Sequence, residues 1–473
     1  MFWEIENIPQ DRIALIDDVS GENISYGRLK EECDKFALRI KSEKKRLIFL
    51  FCDNTVDCVI AYLSALRSGH AVFLVNARMD AELKNSLIDV YQPEIIISIE
   101  QMSSLSGNYK IEETGAKQFL YFNSENKKEV HKDIAVLLST SGTTGSPKLV
   151  KLTHKNIQAN ASSIAEYLGI DENEKPITSL PMSYSFGLSV INSHLMKGAT
   201  ILCTNKSMVM REFWNTFNQH KCTSFSGVPY NYQMLQRLKF DKMEIPSLKT
   251  MAQAGGRLSE EFIRFFYEVA EKKNIKFFVM YGQTEATARI SYVPFNELGD
   301  KIGSIGIPVP GGEIKIFLDG HEINTPKVEG ELVYQGPNVM MGYAETREDL
   351  EKDDELHGVL HTGDIAYKDE DGFAYITGRL KRFIKLFGLR VNLDEIEKMI
   401  ENHFAFAAAC YGTDDALKIL IQSSGNSDAE PVKHKVIETY KLHHSVVKVK
   451  CVGAIPVTSS GKRDYKAIQE MDI

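Results

Sequence analysis

The chain has 473 residues, a formal net charge of −8, and contents of 43% hydrophobic and 25% charged residues, which are ordinary for a soluble globular protein. Because single hydrophobic cores usually stop growing well below this length, two or more domains are expected. The acidic balance argues against a nucleic-acid-binding protein, which normally carries a basic excess.

Cysteine usage and the N-terminus predict a reducing compartment. The seven cysteines are odd in number and scattered, without C-x-x-C spacing, which argues against both a disulfide framework and a zinc site. Residues 1–6 are acidic where a signal peptide is basic. No apolar run approaches the roughly 20 residues that a transmembrane helix needs. We therefore expect a soluble, cytoplasmic protein with no membrane span.

Short apolar strands alternate with helical stretches along the first part of the chain. The sequence predicts a strand at 47–51, a helix at 56–66, and strands at 71–75 and 94–98. This alternation predicts parallel sheets that are covered by helices. Another apolar strand, at 133–138, leads into a loop that should emerge at a sheet edge, where α/β proteins usually bind ligands.

The loop at residues 139–148 has the composition of a polyphosphate-binding loop, with many hydroxyl side chains, two glycines and one lysine. Glycines allow sharp turns and bring backbone N–H groups close to oxyanions. The alternative for such a composition is a solvated turn. The loop is not a P-loop NTPase signature, because Gly142 and Gly145 are too close together and Leu149 follows Lys148 where that signature has a hydroxyl.

The order of residues in this loop resembles the phosphate loop of the adenylate-forming superfamily, which includes acyl-CoA synthetases, peptide synthetase adenylation domains and luciferases. Further segments that resemble motifs of this superfamily follow in the same order, at 281–285, 330–343, 362–364, 378–391 and 456–462. The resemblance spans essentially the whole chain. It is strongest to a stand-alone acyl-CoA synthetase or acyl-acid ligase.

The resemblance implies an α/β fold in two parts joined by a hinge. A large N-terminal AMP-binding domain of helix-flanked sheets is expected at residues 1–378, and a small, mobile α+β domain at 379–473. Lys381 takes the position of the hinge residue, where many members of the superfamily carry Asp. The second domain should begin with a polar helix at 393–402.

The implied activity is that of an ATP-dependent ligase. Such an enzyme adenylates a carboxylic acid, releases pyrophosphate, and transfers the acyl group to a pantetheine thiol. ATP, Mg²⁺ and CoA are the expected cofactors, with CoA favoured as the acceptor. Two alternatives stay open: the phosphopantetheine of a separate acyl carrier protein as the acceptor, and a non-catalytic nucleotide-binding relative.

The resemblance also implies roles for individual nucleotide-binding residues. Asp364 and Arg379 would bind the ribose, since an ionised carboxylate is a strong acceptor for hydroxyl groups. Tyr281 would face the adenine, and Gly255 and Gly256 would let the purine lie close to the backbone. The residues expected around the phosphates are Thr140, Ser141, Gly142, Thr143, Thr144, Gly145 and Lys148.

Three residues carry the implied chemistry. Glu285 would be the Mg²⁺ ligand, because this hard cation prefers carboxylate and phosphate oxygens. Thr284 would hydrogen-bond the α-phosphate. Lys462 would bridge the carboxylate and the α-phosphate and stabilise the charge that develops during adenylation. The residues expected at the hinge and in the thiol step are Lys381, Lys385 and Gly388.

The predicted acyl pocket is mostly apolar and suits an aliphatic or aromatic acid. Ser185 stands where peptide synthetase domains carry Asp, so an amino-acid substrate would leave its ammonium group unpaired. The role of Arg289 stays open between a partner for a second acidic group of the substrate and an ion pair of the scaffold. The expected pocket residues are Tyr184, Phe186, Gly187, Tyr230 and Ala254.

Overall fold

The computed structural model describes residues 1–102, 105, 109–113, 118–123, 128–139, 148–380, 382–386, 389–413, 416–440, 442–458 and 462–471. These residues form two compact units. The first unit takes the described residues up to 139 together with 148–313 and 334–360, and the second takes those of 314–333 and 361–471. The predicted domain boundary at 378/379 stays a prediction.

The helices begin at residues that suit helix starts. The side chains of Ser25, Thr55, Thr153 and Ser259 each accept a hydrogen bond from a backbone N–H of the first turn. The helices of the first unit are α1 Tyr26–Arg39, α2 Val56–Arg67, α3 Ala81–Tyr91, α4 His154–Leu168, α5 Ser185–Met196, α6 Arg211–Gln219, α7 Pro229–Arg237 and α8 Glu260–Lys273. Those of the second are α9 Leu393–Phe404, α10 Ala429–Tyr440 and α11 Tyr465–Glu470.

The strands are numbered in chain order across both units. The first fifteen are β1 Ile13–Asp17, β2 Asn23–Ser25, β3 Leu47–Cys52, β4 Ala71–Asn76, β5 Ile95–Ser98, β6 Lys110–Glu113, β7 Phe119–Phe122, β8 Ile134–Ser139, β9 Leu149–Thr153, β10 Ile201–Cys203, β11 Ser224–Gly227, β12 Thr250–Gln253, β13 Lys276–Tyr281, β14 Ser291–Tyr292 and β15 Ile307–Pro308. The others are β16 Glu313–Leu318, β17 His321–Ile323, β18 Gly330–Gln335, β19 Gly342–Ala344, β20 Val359–Lys368, β21 Ala374–Arg379, β22 Phe383–Leu386, β23 Leu389–Asn392, β24 Ala408–Thr413, β25 Ala416–Gln422 and β26 Val447–Val452.

An eight-stranded sheet forms the largest layer of the first unit, in the order β19-β9-β8-β4-β3-β5-β7-β6. Alternate residues of β3 enter two different cores: Ile48 and Leu50 enter one, and Phe49 and Phe51 enter the other. This explains why β3 is apolar throughout, since both of its faces are covered. The predicted strands and helix are β3, α2, β4, β5 and β8, and their ends differ from the prediction by one residue at most.

The prediction of parallel sheets is correct only for the middle of this sheet. Strands β5, β3, β4 and β8 run parallel to one another. At the two ends of this group, β7 is antiparallel to β5 and β9 is antiparallel to β8. The second sheet, β11-β12-β13-β14-β15, has the same character, with three parallel strands followed by two antiparallel ones. Several of the antiparallel strands, such as β14, β15 and β19, have only two or three residues, so the alternation of strands and helices did not reveal them.

The second unit contains an antiparallel sheet and a small α+β part. The sheet has the order β17-β16-β18-β20-β21. In the α+β part, β24-β25-β26 form a three-stranded sheet, and α9 and α10 share its buried apolar core. The predicted polar helix at 393–402 is α9, which extends two residues further. In the described part of the chain, no helix combines the length and the apolar character needed to cross a membrane.

Candidate active site

The carboxyl ends of three parallel strands gather most of the predicted site residues of the first unit. Tyr230 follows β11, residues 254–256 follow β12, and β13 ends at Tyr281, shortly before Glu285. The register of β11, β12 and β13 brings these ends to one edge of the sheet. Ligands of open α/β sheets bind at such an edge.

Two glycines at this edge lie where a side chain would not fit. Gly255 has a φ of +84°, and a Cβ there would lie 2.6 Å from the Tyr184 hydroxyl. A Cβ on Gly282 would lie 2.0 Å from the carbonyl oxygen of Ala288. The loop that contains Gly255 and Gly256 therefore packs directly against a predicted acyl-pocket residue, with its backbone accessible to a flat ligand.

The segment that contains Glu285 is anchored by residues near β19. The buried Asn338 side chain donates hydrogen bonds to two backbone carbonyl oxygens of the segment, at 2.8 and 2.9 Å. The backbone N–H of Met340 donates to the carbonyl oxygen of Glu285 at 2.9 Å. The Tyr343 hydroxyl donates to Oε1 of Glu285 at 2.8 Å. Burial and the Glu285 carboxylate raise the pKa of Tyr343, so its hydroxyl stays a donor at neutral pH.

Lys148 reaches the same tyrosine. Its Nζ lies 5.5 Å from the centroid of the Tyr343 ring and 2.5 Å from a carboxylate oxygen of Glu345. The antiparallel pairing of β19 with β9 produces this arrangement, since Tyr343 lies opposite Val150. The predicted cation and the predicted metal ligand thus flank one side chain. The other predicted phosphate-loop residues lie outside the described residues: Thr140, Ser141, Gly142, Thr143, Thr144 and Gly145.

The half-buried carboxylate of Glu285 fits a Mg²⁺ ion that arrives with a nucleotide. No group of three or more His, Cys, Asp or Glu side chains among the described residues is arranged to hold a metal ion. Mg²⁺ in nucleotide-dependent sites is usually bound by one or two carboxylates together with substrate phosphates. One accessible carboxylate beside a lysine matches that mode of binding.

The predicted acyl residues Tyr184, Phe186 and Gly187 lie at the start of α5. A Cβ on Gly187 would lie 2.2 Å from a carbonyl oxygen of the preceding loop, so the helix begins in close contact with that loop. The hydroxyl of Ser185 lies 3.4 Å from the hydroxyl of Thr284. The structure therefore places the start of the predicted acyl pocket beside the predicted α-phosphate residue.

The side chains of the predicted acyl-pocket residues have different surroundings. Phe186 and Ala254 belong to a buried apolar cluster, and Tyr184 packs against it. Tyr230 is 47% exposed, at the first turn of α7. Arg289 is buried, and its guanidinium carbon lies 3.8 Å from the centroid of the Phe186 ring.

In the second unit, the two predicted ribose-binding residues form an ion pair. Asp364 on β20 lies opposite Arg379 on β21, and Nε of Arg379 donates to Oδ1 of Asp364 at 2.9 Å. Asp364 is buried, whereas the Arg379 side chain is 61% exposed. The backbone N–H of Asp364 donates to the Thr362 hydroxyl oxygen at 3.1 Å. The pairing of β20 with β21 fixes the carboxylate and presents the guanidinium to solvent.

Lys462 lies in a short loop of the α+β part. Its carbonyl oxygen accepts a hydrogen bond from the N–H of Thr458 at 2.7 Å, and its N–H donates to the Thr458 hydroxyl oxygen at 3.3 Å. The next residue, Arg463, forms an antiparallel bridge with Val457. These backbone contacts fix the residues on both sides of the loop.

The predicted hinge and thiol-step residues are described only in part. Lys385 lies on β22 opposite Arg390 on β23, in a two-stranded hairpin. Lys381 and Gly388 lie outside the described residues. Their roles stay predictions.

Comparison with known proteins settles the family. A sequence model described as "AMP-binding enzyme" matches residues 2–344 of the chain. The chain belongs to this family. The predicted membership of the adenylate-forming superfamily is therefore confirmed.

Relatives that match most of the length of this AMP-binding enzyme include ligases. The chain is 25% identical to an oxalate–CoA ligase of Arabidopsis thaliana, over 98% of this chain and 97% of that protein. It is 29% identical to a 2-succinylbenzoate–CoA ligase of Bacillus cytotoxicus, over 83% of this chain and 80% of that protein. A solved structure of o-succinylbenzoate CoA synthetase from Bacillus subtilis, in complex with the acyl-adenylate intermediate OSB-AMP, matches with a TM-score of 0.80 at 22% identity, covering 100% and 98% of the two chains. The predicted fold class is thus confirmed.

Sequence reasoning missed the residues that support this site. It assigned no role to Asn338 or Tyr343. Both belong to the segment at 330–343, which resembles a motif of the superfamily, but the sequence does not show what their side chains contact. It also missed Glu397, which contacts Arg463 next to the predicted catalytic lysine. The available signal was weak, because Glu397 is one of several acidic residues on α9.

Proposed function

We propose that this AMP-binding enzyme is an AMP-forming acid–thiol ligase, which converts a carboxylic acid and ATP into an acyl-adenylate and then into a thioester. One observation carries the proposal: Thr284 and Glu285 lie at the carboxyl ends of parallel strands, with Tyr343 joining Glu285 to Lys148. A cation next to the tyrosine that contacts Glu285, with the Thr284 hydroxyl beside that carboxylate in the chain, suits a polyphosphate that loses pyrophosphate. The two CoA ligase relatives support the same reaction class.

The residues of the chain have distinct tasks in this reaction. Lys148 neutralises charge on the departing pyrophosphate, and Thr284 donates to the phosphate that the acid attacks. Glu285 would hold a Mg²⁺ ion, which would neutralise phosphate charge when bound. Asp364, oriented by Arg379, accepts from the ribose hydroxyls. Lys148, Thr284 and Glu285 thus act on the phosphates before the acid attacks.

The second half-reaction transfers the acyl group to a thiol. We take CoA as the acceptor, in line with the two CoA ligase relatives. The alternative is the phosphopantetheine arm of a separate acyl carrier protein. A cytoplasmic location, which the scattered cysteines of the sequence favour, would suit either acceptor.

Carboxylate-dependent exchange of pyrophosphate into ATP, with CoA omitted, tests the first half-reaction. Exchange that depends on one class of acid is the expected result, and hydroxylamine trapping then identifies the acyl-adenylate. Exchange with no acid in a panel of fatty, aromatic, hydroxy and dicarboxylic acids, despite calorimetric binding of ATP, would favour a non-catalytic relative. Adding CoA or a phosphopantetheinylated carrier protein to the trapped adenylate distinguishes the two acceptors.

Tyr343→Phe should weaken the use of Mg²⁺ without abolishing the reaction. The substitution removes the hydroxyl that orients the Glu285 carboxylate, and one hydrogen bond to a charged group contributes about 1–2 kcal/mol at a partly exposed position. We expect the Mg²⁺ concentration for half-maximal exchange to rise roughly tenfold. Tyr375→Phe is the matched control, because it also removes a hydroxyl–carboxylate contact, 3.3 Å to Asp369. Equal Mg²⁺ dependence of the two variants would contradict the role of Tyr343.

A further inference from the structure

Arg289 is a buried cation that has no carboxylate partner among the described residues. It is 2% exposed, its Nη1 donates to the carbonyl oxygen of Ala288 at 3.1 Å, and its Nε has no hydrogen-bond partner. Burial lowers the pKa of Arg289, while the hydroxyl groups of Tyr167 and Tyr184 act in the opposite sense. Its guanidinium lies over the Phe186 ring and hydrogen-bonds the neutral Tyr167 side chain. The scaffold ion pair that the sequence left open is therefore absent from the described structure.

A second buried arginine shows what a scaffold ion pair looks like in this protein. Arg347 is fully buried, and its Nη2 lies 2.7 Å from a carboxylate oxygen of Glu94 and 2.8 Å from the carbonyl oxygen of Lys128. Buried charges are normally paired in this way, because burying a charge without a partner is costly. Among the described residues Arg289 departs from this rule, so its guanidinium is available to an acidic group of a ligand.

Arg289 lines a small cavity that suits an anionic group. The cavity has a volume of about 30 Å³, and its walls are mainly apolar side chains such as Leu168, Val190 and Met280. A cavity of this size holds roughly two water-sized groups, comparable to the two oxygens of a carboxylate. Serine and threonine residues also line the cavity, but none of them is charged, so the Arg289 guanidinium is what favours an anionic group there.

The two other ionisable residues of the cavity wall do not compete for this role. Burial lowers the pKa of His194 to about 4, so its ring is neutral at physiological pH, and its Nδ1 lies 2.8 Å from the carbonyl oxygen of Val190. The carboxylate of Glu174 contacts the Thr223 hydroxyl and lies 3.5 Å from Nζ of Lys249. Arg289 therefore supplies the positive charge that faces the cavity.

The cavity and the predicted reaction point lie along the same helix. Ser185, beside Thr284, is the first residue of α5, and Phe186, Val190 and His194 follow on one face of the helix at the cavity wall. From Ser185 to Val190 the helix rises roughly 7 Å. A substrate whose reacting carboxylate lies at Thr284 would thus reach the cavity with a short chain.

We propose that the acid used by this enzyme carries a second acidic group, a carboxylate on a short apolar spacer, and that Arg289 selects it. The inference rests on the proposed ligase function and specifies its substrate class. The guanidinium carbon lies 3.8 Å from the centroid of the Phe186 ring and Nε has no hydrogen-bond partner, so a carboxylate could be bound in the bidentate manner typical of arginine. A monocarboxylate of the same length would leave the buried cation unpaired.

A matched substrate series tests the inference. The series pairs malonate, succinate, glutarate and adipate with the straight-chain monocarboxylates of equal carbon number, and the readout is kcat/KM in pyrophosphate exchange. For wild type we expect the best diacid to exceed its monoacid by at least about 100-fold, as for sites built to bond a polar substrate group. Arg289→Met should reverse the preference, and Arg289→Lys should retain part of it. A wild-type enzyme that prefers the monoacids would overturn the inference while leaving the ligase function intact.

Thermal unfolding supplies a readout that needs no catalysis. In the presence of AMP, glutarate should raise the Tm of wild type more than pentanoate does, and Arg289→Met should remove this difference. Without ligands, Arg289→Met should keep or raise Tm, because it removes an unpaired buried charge, whereas Arg347→Met should lower Tm by leaving Glu94 unpaired. A fall in Tm for Arg289→Met like that of Arg347→Met, with no difference between the two acids, would make Arg289 a scaffold residue. Exchange absent for every acid would count against the ligase function, and the acid-dependent Tm shifts would still decide the role of Arg289.

Discussion

Lys462→Ala should reduce acid-dependent pyrophosphate exchange by at least about 10²–10³-fold, the loss typical of a group that stabilises developing charge in a transition state. Its thioester formation from preformed acyl-adenylate should change little. The reason is that the lysine is needed while negative charge moves on the α-phosphate, and that step is complete once the adenylate exists. Measuring the two half-reactions separately, with synthetic acyl-AMP for the second, isolates the effect.

Lys466→Ala is the control for this experiment. Lys466 is exposed on α11, four residues beyond Lys462, so its loss removes one positive charge from the same segment without touching the loop. We expect this variant to keep both half-reactions. Equal losses in the two half-reactions of Lys462→Ala would mean that the segment acts through its overall charge or stability. A loss of activity in Lys466→Ala as large as that in Lys462→Ala would have the same meaning.

The sequence predicted local structure and motif identity well, because both depend on nearby residues. The strands β3 and β4 are short apolar runs bounded by polar residues, and their positions followed directly. What brings Tyr343 to Lys148 is the pairing of β19 with β9, which joins segments almost 200 residues apart. A three-residue strand carries no pattern that predicts such a partner.

Burial and pairing of charges were also beyond the sequence. An arginine after a site motif is equally compatible with a scaffold ion pair and with a substrate contact, and only the surroundings of Arg289 distinguish the two. In the same way, Glu397 on α9 looks like any acidic residue of an amphipathic helix, yet it is 3% exposed. The surroundings of Arg289 and the burial of Glu397 both depend on side chains from other elements, which the local sequence does not contain.

Glu397 is the centre of a buried charge network in the α+β part. Its carboxylate lies 2.6 Å from Nη2 of Arg382 and 2.6 Å from Nη1 of Arg463, and it accepts hydrogen bonds from the Tyr465 hydroxyl and from the backbone N–H of Cys410. Burial alone would lower the pKa of Arg463, but Glu397 and a second carboxylate raise it. The network fixes the residue that follows Lys462 in the chain.

Glu397→Gln should lower the free energy of unfolding by about 2–3 kcal/mol. This is less than the 3–5 kcal/mol typical of breaking a lone buried pair, because Arg382 also pairs with Asp394 and Arg463 also pairs with Glu401. Urea unfolding measures the change. Glu438→Gln, on the exposed side of α10, is the control and should stay within about 0.5 kcal/mol of wild type.

The same variant should separate the two half-reactions, because the network acts on adenylation through the loop that carries Lys462. Arg463 bridges to Val457 at the base of that loop, so a loosened guanidinium lets the lysine leave its productive position. Pyrophosphate exchange should therefore fall by about tenfold or more at a temperature where the variant is still folded, while thioester formation from acyl-AMP falls much less. If both half-reactions fall in proportion to the fraction of unfolded protein, the network stabilises the domain without positioning Lys462.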